Sequence, residues 1–431
     1  MTGKWNYLPL TQKEQLIETE LAKRFASVPP VSQLLVERGV TSVEEADRFL
    51  HPQLKNLHNP FLLPDMDKAV ERLNRAMGSK EKIMVYGDYD VDGTTAVALV
   101  YKYLQNFYSN IDYFIPTRYE EGYGISSETI DDFARQGVKL VIILDCGIKA
   151  NVEIAHAREH GIDFIICDHH VPDDELPQAV AILNPKMPGS TYPCPHLSGC
   201  GVGYKLMQAF SISNGIPQAD LEGMLDLVAV SIAADIVPMV DENRVMTFYG
   251  LRRLNSNPNM GLRAIIRICG LTGKEITISD VIFKIGPRIN ASGRMQSGRE
   301  AVDLLVSRDI TDAYQKARNI DQYNKDRKEL DRRITEEANA ILSQRIEAGS
   351  NKKSIVIFNK DWHKGIIGIV ASRLTELYYK PSVVLTLSNG LATGSSRSVQ
   401  GFDIYAAVDS TRDLLENFGG HTYAVGPVSY T

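Results

Sequence analysis

The sequence predicts an α/β protein in which a parallel-sheet domain is joined by a long helix to a smaller α/β domain. Between residues 81 and about 185, short apolar runs alternate with segments of helical periodicity. Strands that are apolar along their whole length, such as 139–145 and 162–168, are typical of a parallel sheet covered on both faces. From 311 to 348, apolar side chains recur at helical spacing around a highly charged middle, as in helices that bridge two domains.

These patterns divide the chain into four parts. They are a helical segment at 1–80, a parallel-sheet domain at 81–310, a connecting helix at 311–349 and a smaller α/β domain at 350–431. The predicted strands of the larger domain are 83–87, 111–115, 139–145, 162–168 and 179–184, and its predicted helices are 94–107, 126–136, 150–160, 201–214 and 220–236. Thr311 is predicted to cap the long helix and Gly349 to end it.

Composition and charge limit the class of protein. The chain has 431 residues, of which 44% are hydrophobic and 23% charged, the balance of a globular protein of two or three domains. We expect a reduced, cytoplasmic protein, because the sequence has neither a membrane-length apolar run nor a signal-peptide pattern, and its five cysteines are odd in number.

The net charge of −6 is unevenly distributed. Residues 351–400 carry seven basic and two acidic side chains, a net of +5, which leaves −11 for the remainder. An acidic part can hold cations while a basic part holds a polyanion. On charge alone, however, an ordinary solvated surface is the simpler interpretation of the basic block.

Acidic and imidazole side chains follow the ends of several predicted strands. They are Asp88, Asp90 and Asp92 after the first strand, Asp145 after the third, Asp168, His169 and His170 after the fourth, and Asp235 in the later segment 231–239. Because ligand sites of open parallel sheets lie beyond the carboxyl ends of the strands, we expect these side chains to converge. Carboxylates that close together repel one another unless they are protonated or cations lie among them.

The donor types indicate which cations fit. Carboxylates with one or two imidazoles suit Mn²⁺, and Mg²⁺ fits where water completes the shell. Two ions about 3.5–4 Å apart that share a carboxylate activate a water and clamp both oxygens of an in-line displacement at phosphorus. The residues therefore predict phosphoester hydrolysis, without specifying the substrate.

Each feature has a simpler interpretation when it is taken alone. An Asp after a strand is usually a helix cap or turn former, and a His pair there is usually a hydrogen-bonded loop. The loop that begins Gly87-Asp88-Tyr89-Asp90 could by itself hold Ca²⁺. Four such features at the expected ends of successive elements favour one metal centre instead.

The motif Asp168-His169-His170 resembles the signature after which the DHH phosphoesterases are named. The loop 88–93, Asp145 and Asp235 stand where that superfamily has its other metal motifs. Segments similar to RecJ-type exonucleases in particular are RYEEGYGIS at 118–126, GPRINASGRM at 286–295, WHKGIIGIVASRL at 362–374, GSSRS at 394–398 and FGGHTYAVG at 418–426. The similarity extends over nearly the whole chain from about residue 50.

The resemblance implies a metal-dependent exonuclease that degrades single-stranded DNA from 5′ to 3′ in recombination and repair. It implies two Mn²⁺ or Mg²⁺ ions per site, and a single-strand-binding protein and a helicase as partners. Asp90 and Asp145, with Asp88 as a further candidate, would bind the first ion. The implied ligands of the second ion are Asp92, Asp145, His169 and Asp235, with Asp145 bridging. His170 would contact the scissile phosphate as a catalytic residue, although the sequence leaves open which His is the ligand.

The second α/β unit resembles the DHHA1 substrate-binding domain. Its glycine-rich signature matches Gly419-Gly420-His421, where backbone N–H groups can approach a phosphate. The other implied substrate-binding residues are Ser395, Ser396 and Arg397 in a donor-rich loop, Arg373 on a helix, Arg288, Asn290 and Arg294 between the domains, and His363. We expect at least one of these arginines to do no more than pair across the domain interface.

Two other functions remain compatible with parts of the sequence. A phosphodiesterase for short oligonucleotides or cyclic dinucleotides shares the metal motifs, but the long N-terminal segment and the bridging helix argue against it. A non-catalytic nucleic-acid scaffold is disfavoured because every acidic position is filled. RecJ-type proteins normally continue into an OB-type domain, and the sequence ends at Thr431, so we expect intact chemistry with a weaker grip on long DNA.

Overall fold

The structure is a computed structural model that describes residues 9–25, 29–117, 124–349, 352–388, 390–416 and 418–430. The side chains at 421 and 427–430 lie outside the described part, as do the first six residues of the motif at 118–126. In the described ranges, no helix is both long enough and apolar enough to cross a membrane.

The described part of the N-terminal segment contains two 3₁₀ helices, Leu54–Asn56 and Pro60–Leu62, and four α-helices. The α-helices are α1 (Gln12–Phe25), α2 (Pro29–Glu37), α3 (Val43–Leu50) and α4 (Met66–Gly78). The first three pack around a small apolar core that includes Leu21, Leu35 and Ala46. The fourth packs against the larger domain, where the buried Arg72 pairs with Asp163 and Glu81.

A five-stranded parallel sheet forms the centre of the larger domain. Its strands are β1 (Lys82–Gly87), β2 (Ile111–Phe114), β3 (Val138–Leu144), β4 (Asp163–Cys167) and β5 (Ala181–Leu183). The spatial order is β2-β1-β3-β4-β5, and every neighbouring pair is parallel. The order reverses between β1 and β3, and the crevice beyond the carboxyl ends of two such strands is where open α/β sheets bind ligands.

Helices cover both faces of this sheet, as the continuous apolar strands predict. The helices that connect the strands are α5 (Val91–Leu104), α6 (Ser127–Arg135) and α7 (Asn151–Glu159). The core on one face includes residues of α4 and α5, and the core on the other face includes residues of α6 and α7.

Further helices extend the domain beyond the sheet. They are α8 (Gly199–Ser213), α9 (Gln218–Glu222), α10 (Leu225–Asp235), α11 (Asp241–Ser256), α12 (Met260–Ile268), α13 (Ile278–Asp280), a π-helical turn (Val281–Ile285), α14 (Gly286–Met295) and α15 (Gly298–Leu305). The single helix expected at 220–236 is therefore two helices, because the chain turns at Gly223 and Met224.

The long helix predicted at 311–348 is present as α16 (Ile310–Glu347). Its predicted N-cap, Thr311, is wrong: Asp309 has extended backbone and its carboxylate accepts the Asp312 N–H at 2.8 Å. Gly349 follows the helix with a φ of +84°, the left-handed conformation that glycine adopts most readily.

A mixed five-stranded sheet forms the centre of the second domain. Its elements are β6 (Ile355–Phe358), α17 (Lys364–Tyr378), β7 (Ser382–Ser388), β8 (Leu391–Arg397), α18 (Ile404–Asp409), β9 (Gly419–His421) and β10 (Ala424–Tyr430). The order is β6-β7-β8-β10-β9, with β6 and β7 parallel and the other pairs antiparallel. Apolar side chains of α16 and α17 share one core with β6 and β7.

Candidate active site

Strand register aligns three of the acidic residues at one edge of the parallel sheet. Gly87 is the partner of Leu144, and Leu144 is the partner of Cys167. The next residues along the three strands are Asp88, Asp145 and Asp168, and all three are buried. The register thus places these three residues side by side at the carboxyl edge of the sheet, next to the point where the strand order reverses.

The structure brings all the predicted metal-binding residues together, in two groups of ligand atoms. The atoms of Asp88, Asp90 and Asp145 lie within 4.8 Å of one another, and so do those of Asp92, His169 and Asp235. The two groups adjoin at His169. Its Nε2 atom lies 3.1 Å from Asp145 Oδ1 in the first group, and 3.8 Å from Asp92 Oδ2 and from Asp235 Oδ2 in its own group.

Two local departures from the predicted elements shape the acidic loop. Helix α5 begins at Val91 rather than Thr94, because Asp90 caps it by accepting the Gly93 N–H at 3.0 Å. Strand β3 ends at Leu144 rather than Asp145, since Asp145 has a φ of +61°. The left-handed conformation is uncommon for a residue other than glycine and marks a constrained position.

Asp92 is held by groups that the sequence analysis did not identify. Its carboxylate accepts the Gly199 N–H at 2.6 Å, the Cys200 N–H at 2.7 Å and the Ser231 hydroxyl at 2.6 Å. Both N–H groups belong to the first turn of α8, which Ser198 caps. A helix N-terminus favours a nearby negative charge. The small-residue run Ser-Gly-Cys-Gly-Val-Gly at 198–203 was the available sequence signal.

Gly199 also fixes the distance between α8 and Asp145. A Cβ atom at this position would lie 2.6 Å from Asp145 Cβ and 2.7 Å from its Oδ1. Real Cβ atoms essentially never approach that closely. Glycine is therefore required here for close approach of two backbones.

Asp168 orients the two imidazoles instead of facing the cluster. One of its oxygens accepts the His169 and His170 N–H groups and lies 2.7 Å from His170 Nδ1, and the other accepts the Ile148 N–H at 3.0 Å. Burial raises the carboxyl's pKa, but these hydrogen bonds and His170 lower it to about 2. Burial lowers the His170 pKa, but Asp168 raises it above its ordinary value. His169 thus faces the carboxylates of the cluster, while His170 is hydrogen-bonded to Asp168 and also has a ligand atom within 4.8 Å of those of Asp145 and His169.

The electrostatic repulsion among the clustered carboxylates favours binding of a cation. Burial, followed by repulsion from neighbouring carboxylates, raises the pKa of Asp145 well above its usual value and that of Asp235 to about 7. Asp145 Oδ1 and both His169 ring nitrogens are buried without a hydrogen bond among the described residues. Converging buried carboxylate oxygens with one imidazole nitrogen are a donor set that fits a divalent ion such as Mn²⁺.

Helix α14 lies between the acidic loop and the second domain. Gly293 packs so closely on the Tyr89 carbonyl that a Cβ would overlap it. At the next residue of the same helix, Gly365 of α17 packs equally closely on the Arg294 carbonyl, and Arg294 Nη1 donates to the Gly365 carbonyl at 3.1 Å. The two domains therefore meet beside the acidic cluster.

The donor-rich segment Ser395–Arg397 is the end of strand β8 and lies against α17, so the prediction that it forms a loop is wrong. Arg397 donates to the Ser395 hydroxyl at 3.1 Å and to the Ser396 carbonyl at 2.7 Å. Gly368 faces Ser395 and Arg397, and a Cβ there would lie 3.0 Å from Ser395 Oγ. Ser396 is buried and donates to the Val425 carbonyl at 3.1 Å, which leaves Ser395 and Arg397 as the accessible members.

The remaining predicted substrate residues differ in their surroundings. Arg373 pairs with Asp331 of α16 through two hydrogen bonds of 2.9 and 2.8 Å, and Arg288 pairs with Asp321 at 2.9 Å. His363 caps α17 by accepting the Gly365 N–H at 3.2 Å, and Asn290 is half-buried. Gly419 and Gly420 lie in β9, where a Cβ on Gly420 would overlap Ala424 O, and the His421 side chain lies outside the described part.

Two domain families match the chain in this order. Residues 82–232 match the N-terminal domain of the DHH family, and residues 351–429 match the DHHA1 domain. The single-stranded-DNA-specific exonuclease RecJ of Bacillus subtilis is 39% identical over 408 residues, covering 94% of this chain and 51% of that protein. The chain thus spans about half the length of that relative. The RecJ of Escherichia coli K12 is 34% identical, covering 94% of this chain and 73% of that protein.

Solved structures agree with these matches. The Mn²⁺ complex of RecJ from Thermus thermophilus superposes with a TM-score of 0.82 at 28% identity, over 96% of this chain and 58% of that one. A manganese-bound exonuclease RecJ superposes with a TM-score of 0.75 at 30% identity, over 88% of this chain and 92% of that one. With both domains, their order and the fold in common, the chain belongs to the RecJ family.

Proposed function

We propose that the chain is a metal-dependent exonuclease that hydrolyses single-stranded DNA from the 5′ end. The observation that carries the proposal is the pair of adjoining ligand groups at the sheet edge, linked by the 3.1 Å approach of His169 to Asp145. The RecJ relatives from B. subtilis and E. coli are named single-stranded-DNA-specific exonucleases, and two matched RecJ structures contain manganese. These names support the substrate, and the donor set supports the metal.

The residues that would hold the ions follow from the two groups. Asp88, Asp90 and Asp145 would bind one ion, and Asp92, His169 and Asp235 the other, with Asp145 between them. A pair of divalent ions supplies charge stabilisation and lowers the pKa of water. Mn²⁺ and Mg²⁺ both suit oxygen-rich sites, and the imidazole favours Mn²⁺.

The chain's own residues position the substrate around this centre. His170 is partly exposed, with 45% of its side chain accessible, and Asp168 fixes its ring. It is thus placed to donate a hydrogen bond to the scissile phosphate. Asp145 is constrained by its left-handed backbone conformation and by the close packing of Gly199.

The second domain is proposed to hold the DNA backbone. Ser395, Arg397, His363 and the Gly419–His421 strand supply the phosphate-binding groups, and Asn290 and Arg294 lie on α14 beside the domain junction. Arg288 and Arg373 act through their ion pairs with α16, which hold α14 and α17 in place. This arrangement favours a narrow path for one strand along the junction.

The wider assignments rest on the same proposal. We place the domain boundaries at 1–80, 81–310, 311–349 and 350–431, supported by the family matches at 82–232 and 351–429. A single-strand-binding protein and a helicase are the proposed partners. The proposed location is the cytoplasm, where the five cysteines remain thiols, as they are in the structure.

Asp145→Ala tests the metal centre. Removing this carboxylate should abolish Mn²⁺-dependent degradation of a 5′-labelled single strand, with a loss of several orders of magnitude, because it belongs to one ligand group and adjoins His169 of the other. Asp173→Ala is the matched control, since its carboxylate is exposed and pairs with Lys149 at 2.6 Å. Activity of the Asp145 variant within tenfold of that control would refute the assignment.

Substrate length distinguishes the proposed exonuclease from the main alternative function. A phosphodiesterase for short substrates would hydrolyse a dinucleotide faster than it shortens a long oligonucleotide. The proposed exonuclease should release nucleotides from the long strand at the higher rate. The label should appear first in mononucleotides if degradation starts from the 5′ end.

A further inference from the structure

A second cluster of metal-binding side chains lies on the surface formed by α6 and α7. His156 Nε2 is 2.8 Å from Asp131 Oδ1, and His160 Nε2 is 3.3 Å from the same oxygen. The two imidazole rings are 4.7 Å apart and nearly perpendicular. All three potential ligand atoms lie within 4.8 Å of one another. From this geometry we infer that Asp131, His156 and His160 form a separate site for a divalent transition metal, with Zn²⁺ the best-fitting ion.

Local structure explains the convergence. His156 lies in the last turn of α7 and His160 is the C-cap residue four positions later, so the two side chains come together on the same face. Asp131 projects from the neighbouring helix, which packs against α7. Two histidines at this spacing with a third ligand from elsewhere are a recurrent zinc arrangement.

The two distances from the imidazoles to Asp131 fit a tetrahedral ion with little adjustment. Zn–N and Zn–O bonds of about 2.0–2.2 Å place ligand atoms about 3.3–3.6 Å apart. The His160–Asp131 distance is already 3.3 Å, and the His156–Asp131 distance needs to lengthen by about half an ångström from 2.8 Å. Side-chain accessibilities of 29%, 38% and 43% let an ion enter and let water supply a fourth ligand.

Glu159 gives the cluster a fourth polar member. Its carboxylate lies 3.8 Å from His156 Nδ1, the nitrogen that does not face Asp131. At this distance Glu159 makes no hydrogen bond to the ring, so it adds a negative charge beside the cluster without fixing the orientation of the imidazole. The order His-x-x-Glu-His also occurs in a class of zinc peptidases. Glu159 is 79% exposed, so we assign metal binding and no hydrolysis to this cluster.

The site is separate from the proposed active centre. Helix α7 starts at Asn151, shortly after Asp145, and runs back toward the start of β4. Its nine residues span roughly 13 Å, which puts His160 toward the opposite edge of the sheet. A bound ion would cross-link α6 to α7 and stabilise the domain without contributing to the reaction.

The test compares Zn²⁺ stoichiometry in wild type, His156→Gln, His160→Gln and Asp131→Asn, measured after equilibration with a chromophoric zinc chelator. The matched control is His51→Gln, because His51 lies 3.0 Å from Asp47 on an exposed helix but belongs to no group of three potential ligands among the described residues. We expect each cluster variant to bind one equivalent less than wild type and His51→Gln. In the cluster variants, adding Zn²⁺ should also raise the melting temperature by less than it does in the wild type. Their Mn²⁺-dependent nuclease activity should stay at the wild-type level.

Two outcomes would overturn the inference. Equal Zn²⁺ equivalents in the wild type and both histidine variants would show that the cluster is only an ion pair. Loss of the same equivalent in His51→Gln would show non-specific binding to surface histidines. Because the comparison subtracts any Zn²⁺ held by the acidic centre, its result does not depend on the nuclease assignment.

Discussion

Gly199→Ala should impair the active site through a single methyl group that is remote in sequence from every proposed ligand. The new Cβ would lie 2.6 Å from Asp145 Cβ and 2.9 Å from Asp145 Cα, whereas ordinary contact begins at 3.4 Å. The chain must therefore move by about 1 Å. Neither side can yield easily, because Asp145 is buried with a φ of +61° and the Gly199 N–H is bonded to Asp92.

The structure sets the expected size of the effect. A displacement of about 1 Å at a reacting centre costs about 100-fold in rate. Overpacking of a buried contact costs about 1–3 kcal/mol of stability, which leaves the protein folded. We therefore expect a loss of about 100-fold in the rate of single-strand degradation at saturating Mn²⁺, with helical circular dichroism unchanged.

Gly201→Ala is the matched control, two residues further along the same helical turn. Its Cβ would lie 3.4 Å from Ser198 Oγ and 3.6 Å from Leu197, both ordinary contacts. Alanine in a helix is more favourable than glycine by about 0.5–1 kcal/mol, so this variant should keep its activity and unfold at a slightly higher temperature. If the two variants degrade DNA at rates within threefold of each other, the steric argument is wrong.

Three further predictions follow from the site. Mn²⁺ affinity should fall below about pH 7, because the raised pKa of Asp235 leaves that carboxyl protonated there and Mn²⁺ binding must release the proton. Calorimetry in buffers of different ionisation enthalpy measures the number of protons released. Asp168→Asn should reduce turnover by about 10–100-fold while Mn²⁺ stoichiometry is retained, because this residue orients His170 rather than facing the ions. Arg397→Ala should weaken binding of single strands and flatten its salt dependence by roughly one ion with Mn²⁺ binding unchanged, and an unchanged slope would exclude a phosphate contact.

The fold and the convergence of the acidic residues could be predicted because they depend on local patterns. Continuous apolar strands imply a parallel sheet, and residues that follow such strands must meet at one edge whatever lies between them. Asp88, Asp145 and Asp168 illustrate this, since strand register alone aligns them. The long helix was equally visible, because its apolar spacing persists over the whole of α16.

The parts that could not be predicted depend on contacts between segments distant in sequence. Asp168 belongs to the motif that names the family. Its carboxylate nevertheless interacts with the His170 ring and accepts three backbone N–H groups, and it does not face the other carboxylates. Asp92 is bonded by N–H groups more than a hundred positions away. The spacing of residues along the sequence predicts neither set of hydrogen bonds. The N-cap of α16 was misplaced for a similar reason, because Asp309 and Thr311 are both good capping residues and only backbone conformation separates them.

At the domain junction, contacts between segments distant in sequence connect the proposed metal site to the proposed DNA-binding domain. Gly293 contacts the Tyr89 carbonyl inside the acidic loop, and Gly365 contacts the Arg294 carbonyl on the same helix. Backbone packed on backbone has no side-chain freedom with which to absorb a displacement, so a shift of α17 must move α14 and then the loop that carries Asp88 and Asp90. The ion pair between Arg373 and Asp331 holds α17 on α16 and limits that shift. Through this ion pair Arg373 can therefore influence where a bound phosphate lies relative to the proposed metal ligands, whether or not it contacts the phosphate itself.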